Sequence, residues 1–125
     1  MHIFLSVMAM LIPLTMVAIG AYWNDHAPKK VNWIYGYRTT MSMKNEETWA
    51  FAHRYHAQVW LWSGVILAAL SLMSLIAVIA INKESMLEQY IGIIMIVQCT
   101  VLVLSIIPTE IALRRHFDAD GNPRL

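Results

Sequence analysis

His53 and His56 stand three residues apart in a 125-residue chain that is otherwise poor in ionisable groups. Glu46 and Glu47 precede them, Arg38 and Arg54 flank them, and Glu110 follows far downstream. Three chemistries could use such a set. Two imidazoles and a carboxylate (His53, His56 and Glu46, or else Glu47 or Glu110) are zinc ligands, although His-x-x-His without a cysteine is a minimal signal. Glu46 or Glu47 with His53 could move protons, but no nucleophile elbow, HExxH pair or Gly-rich phosphate loop accompanies them. In the third reading, Arg38 and Arg54 pair with Glu46, Glu47 or Glu110 and pin one segment to another, because desolvated charges need partners. The third is preferred, and it makes a non-enzymatic role the expectation. The single cysteine, Cys99, lies in an apolar run and reads as a small packed hydrophobe.

The elements that must position these residues are apolar. Hydrophobic residues make up 58% of the chain and charged ones 14%, against about 45–50% and about 25% in soluble domains. So small a soluble fold could not hide that much apolar surface. Three runs, at about 3–22, 57–81 and 90–113, are each long enough to cross a hydrocarbon core of about 30 Å as helices. Helix is the expected form because lipid leaves exposed backbone groups unsatisfied. Pro13 and Pro108 are expected as tolerated kinks. A cleavable signal peptide is the rival reading of the first run, disfavoured because no Lys or Arg precedes it. The expected fold class is an all-α membrane protein of one domain, 1–125, with three transmembrane helices and an interfacial polar loop and helix extension at 23–56.

With three spans, the loop and the C-terminal tail share one side. That side carries Lys29, Lys30, Arg38, Lys44, Arg54, Arg114, Arg115 and Arg124, whereas the other carries Lys83 alone. Basic residues favour the cytoplasm. The expectation is a multi-pass protein of the bacterial plasma membrane with its N-terminus outside and loop 23–58 and C-terminus cytoplasmic. The net charge of +1 and the lack of a basic run point to no nucleic-acid partner; the bilayer is the partner the composition implies. A short turn near 82–89 makes the second and third spans an antiparallel hairpin, with Asn82 ending one helix and Ser85 starting the next. The tail 118–123 is turn-rich and is expected to fray.

Ser42 reads as the N-cap of a helix that runs from about Met43 into the second span, with Asn45 or Glu46 supporting its first turn. Glu46 and Glu47 then sit where the helix dipole favours anions. Glu46, Trp49, His53, His56 and Trp60 follow 3,4,3,4 spacing and share a face. Gly36 implies a tight bend or a close approach of the backbone to another element. Glu110 falls near the cytoplasmic end of the third span, level with His53 and His56; pairing with Arg114 on its own helix is the plainer alternative. Trp23, Trp60 and their aromatic neighbours fit belts at the headgroup level.

Asn32-x-x-x-Gly36-Tyr37-Arg38-Thr39, then Met43-Lys44-Asn45-Glu46-Glu47-x-Trp49, then Ala52-His53-Arg54 resembles the signature of the SdpI family of small bacterial membrane proteins. The three-span layout with the motif between the first two spans is similar as well. The resemblance implies immunity to a secreted peptide toxin, and signalling through a cytoplasmic transcriptional regulator held at the membrane. It implies a recognition or structural role for Asn32, Gly36, Arg38, Thr39, Asn45, Glu46, Glu47, Trp49, His53 and Arg54, with Glu110 added by its level in the bundle. Tyr55-His56-Ala57-Gln58 follows where small residues often stand in the family, so a zinc site on His56 cannot be borrowed from it. The best-known immunity member looks longer than this single three-span unit. No cofactor is expected, an interfacial enzyme or metal-dependent protein is the alternative, and a transporter or channel subunit would require a homo-oligomer.

Overall fold

A computed structural model describes residues 2–124. Four helices follow one another: α1 (His2–His26), α2 (Glu46–Ile81), α3 (Glu84–Leu104) and α4 (Ile106–His116). Among the described residues the only β pairing is one bridge between Phe117 and Pro123. α1, α2 and the joined α3–α4 (Glu84–His116) are each long and apolar enough to cross a membrane. Their outer faces are apolar: Met73, Ile93, Ile96 and Val103 are each more than 60% exposed, a surface suited to lipid.

α1 and α2 pack at backbone distance. A Cβ on Gly20 would lie 2.8 Å from the Ala57 carbonyl, and one on Gly64 would lie 2.9 Å from the Val17 N. Small residues at the crossing provide association where lipid supplies no hydrophobic drive. Pro13 leaves α1 unbroken but removes the N–H that the Ala9 carbonyl would accept. Gln98, buried on α3, fills that place: its Nε2 donates to the Ala9 carbonyl at 2.7 Å and to Ser71 Oγ at 3.0 Å, joining all three spans. Its Oε1 is buried without a partner.

Several boundaries differ from those read in the sequence. α1 runs on through His26, so the connector begins at residue 27 rather than 23. α2 begins at Glu46, not Met43, and its N-cap is Asn45, not Ser42. Asn45 and Thr48 exchange side chain–backbone bonds across the first turn, whereas the Ser42 hydroxyl is spent inside the loop, donating to the Tyr37 carbonyl. Asn82 does end α2, in the left-handed conformation. The turn after it is much shorter than 82–89, because α3 starts at Glu84 and Ser85 caps nothing. The third span is broken at Ser105, three residues before Pro108, whose missing N–H frees the Leu104 carbonyl.

The tail does not fray. Asp118 Oδ1 accepts the N–H groups of Asp120 and Asn122, and Arg124 Nε donates to the Arg114 and Phe117 carbonyls. Asn45 Nδ2 donates to the Gly121 carbonyl at 2.8 Å, so the α2 cap also clamps the tail. Two cores result. Trp23, Tyr37, Met41, Ala52, Ala57, Leu113 and Phe117 gather at the loop end, and Ala9, Leu75, Leu87 and Ile91 at the other.

Candidate functional site

Residues 27–45 fold back over the open end of the bundle, held at successive points. Trp49, wholly buried on α2, donates its indole N–H to the Pro28 carbonyl at 2.6 Å. Asn32 Oδ1 then accepts the N–H groups of Ile34 and Tyr35, a local turn that the amide side chain makes against its own backbone. Gly36 follows with φ +123°, a conformation that side chains rarely adopt, and a Cβ there would lie 2.6 Å from His53 Nε2. Both halves of the expectation for Gly36 are met: the chain bends, and it bends against α2.

The bend delivers the Tyr37 N–H to His53 Nε2 at 2.8 Å. An accepting Nε2 places the ring proton on Nδ1, which donates to the Trp49 carbonyl at 2.8 Å. His53 is therefore a neutral, fully committed imidazole that converts a helix carbonyl into an acceptor for a loop N–H. The phenol of Tyr37 continues across the bundle to Glu110 Oε1 on α4 at 2.7 Å. Burial and the adjacent carboxylate push the phenol well above its ordinary value, so it stays protonated and donating at any physiological pH. Beyond Tyr37, Thr39 and Ser42 bond reciprocally and close the loop onto the Asn45 cap.

His56, one turn further along α2, pairs through Nδ1 with the buried Thr109 hydroxyl at 2.8 Å. Its ring stands 4.4 Å from that of Tyr37. Trp23 of α1 lies between the rings of His53 and Trp60, at 5.0 and 6.2 Å, and Trp60 donates to Ser105 Oγ at the break of the third span. Trp23 and Trp60 thus belong to the interior of this cluster, beyond the belt role that their position alone suggested.

The shared face of α2 holds for Trp49, His53 and His56, which are buried, and for Trp60, which is half-buried; Glu46 is exposed. Glu47 and Arg54 are exposed too and border a shallow surface depression with Phe51 and Phe117. The expected ion pairs do not form. Among the described residues no Arg or Lys nitrogen comes within 4.0 Å of a carboxylate oxygen. Glu110 takes the Tyr37 phenol instead of an arginine, and Arg38 lies exposed, its guanidinium 5.9 Å from the Trp33 ring. Desolvation decides this: the neutral phenol can be buried beside a carboxylate at less cost than a guanidinium. No group of three or more His, Cys, Asp or Glu among the described residues is gathered closely enough to hold a metal ion.

Tyr37, Thr109 and Ser105 were not singled out by sequence reasoning. Tyr37 stood inside the quoted motif and was legible there; Thr109 and Ser105 become partners only through packing of the third span.

A three-span helical membrane protein, closed at one end by a polar loop that is bonded to every span, is the class that this fold and site define. The model of the SdpI/YfhL protein family matches residues 29–109, and the chain belongs to that family. Among curated proteins it is similar to the Uncharacterized protein YfhL of Bacillus subtilis (strain 168), 36% identical over 58 residues, or 46% of this chain and 53% of the relative. The chain thus spans about half the length of the curated relative it matches. No solved structure matches it.

Proposed function

We propose that this chain is a non-enzymatic protein of the bacterial plasma membrane that confers toxin immunity or reports envelope stress, with the 27–45 loop as the element that changes state. Its N-terminus faces outward, and the loop and tail face the cytoplasm. A secreted peptide meets the spans from outside, and the loop passes the change in their packing to a cytoplasmic regulator. One observation carries this reading: a single tyrosine, Tyr37, ties the loop to α2 through His53 and to α4 through Glu110. A shift between those helices must break or strain one of the two bonds. Family membership and three apolar spans support the setting.

The test is survival of toxin-sensitive cells expressing the chain during exposure to killing peptides secreted by its host bacterium and its close relatives. Protection is expected. Glu110→Gln and Tyr37→Phe are expected to weaken it at unchanged membrane abundance. No protection against any such peptide, with the protein present in the membrane, overturns the proposal.

A further inference from the structure

Beside the aromatic cluster a cleft of about 320 Å³ opens between the loop and the junction of α3 with α4. Its two walls differ in kind. Leu102, Val103 and Ile106 form one, and Val103 and Ile106 are 64% and 41% exposed, so this wall continues into the lipid-facing surface of the third span. Arg38 and the rings of His56 and Trp60 form the other. The Arg38 guanidinium has no carboxylate within 4.0 Å among the described residues. Arg38, exposed and with its guanidinium 5.9 Å from the Trp33 ring, borders this apolar trough at the end of a bundle where eight of the nine Lys and Arg residues lie. A charge beside such a trough selects a ligand that is anionic at one end and apolar at the other. The guanidinium fork matches a phosphate, and a bilayer presents such phosphates at this level.

We propose that the cleft binds an anionic membrane phospholipid, its headgroup phosphate on Arg38 and one acyl chain along Leu102, Val103 and Ile106. The bound lipid would brace the loop against the third span independently of any role in immunity. Trp60, which lines the cleft, is bonded through its indole N–H to Ser105 Oγ at the helix break.

Native mass spectrometry of the detergent-purified full chain tests this, titrated with phosphatidylglycerol, phosphatidylcholine and inorganic phosphate. Preferential phosphatidylglycerol adducts are expected, lost about tenfold in Arg38→Ala as a charge-assisted contact is removed and retained in Lys29→Ala, a basic residue outside the cleft. Val103→Trp, which fills the trough and keeps the arginine, should lower lipid binding as well. Equal adducts of the two lipids, equal losses in Arg38→Ala and Lys29→Ala, or inorganic phosphate competing as well as lipid would each overturn the proposal. Binding unchanged in Val103→Trp would overturn the acyl-chain placement.

Discussion

Removing the His53 ring leaves the Tyr37 N–H without its acceptor in a buried place. A buried donor without an acceptor costs about 1–3 kcal/mol, and the lost ring adds a cavity. His53→Ala should therefore lower thermal stability in detergent and open 27–45 to trypsin at Lys29, Lys30, Arg38 and Lys44. Gly36→Ala attacks the same contact from the other side, since its Cβ would meet His53 Nε2 in a strained conformation that costs on the order of 1–3 kcal/mol. Because both changes break one contact, the double variant should lose less than the sum. Full additivity in melting measurements would show that the two residues do not act together. The glycine's constraint was legible in the sequence. Its partner was not, because His53 lies 17 residues away and only the bend brings them together.

At the scale of elements, Pro13 and Gln98 form one device. The proline strips the Ala9 carbonyl of its helical donor, and the glutamine of another span supplies a replacement. Interhelical bonds of this kind contribute about 0.6 kcal/mol on average and up to about 1.7. Gln98→Leu should cost an amount in that range in unfolding by mixed detergent titration. In a Pro13→Ala background the cost should shrink, because residue 13 then donates to Ala9 itself. Equal costs in both backgrounds would separate the two residues. The same logic explains the misplaced cap. Ser42 and Asn45 are both good N-caps by type, and local sequence does not rank them. Ser42 is captured by the Tyr37 carbonyl, while Asn45 faces both the first turn of α2 and the Gly121 carbonyl. The tail, which looked free, is ordered by that second bond.

For the whole molecule, the asymmetry of basic residues predicts a cytoplasmic loop and tail. In a Cys99→Ser background, Lys29→Cys should react with a membrane-impermeant thiol reagent only after cells are opened. Labelling in intact cells would invert the topology and place the motif loop outside. The spans themselves follow from composition. An apolar run of about 20 residues has one low-energy form in lipid, a helix, and that holds whatever its neighbours do. Hence the number of spans, the hairpin of the second and third, and the polar element between the first two could be read directly.

The sequence by itself determined the solvent, the three spans, the bend at Gly36 and the family motif. Each of these depends on a residue's own chemistry or on its nearest neighbours along the chain. Tertiary structure alone decided which polar groups meet: Tyr37 rather than an arginine on Glu110, Gln98 on the carbonyl that Pro13 frees, and the tail on Asn45. These pairings depend on helix rotation and depth, and on the cost of desolvating a charge against a neutral donor, which no spacing along the chain encodes.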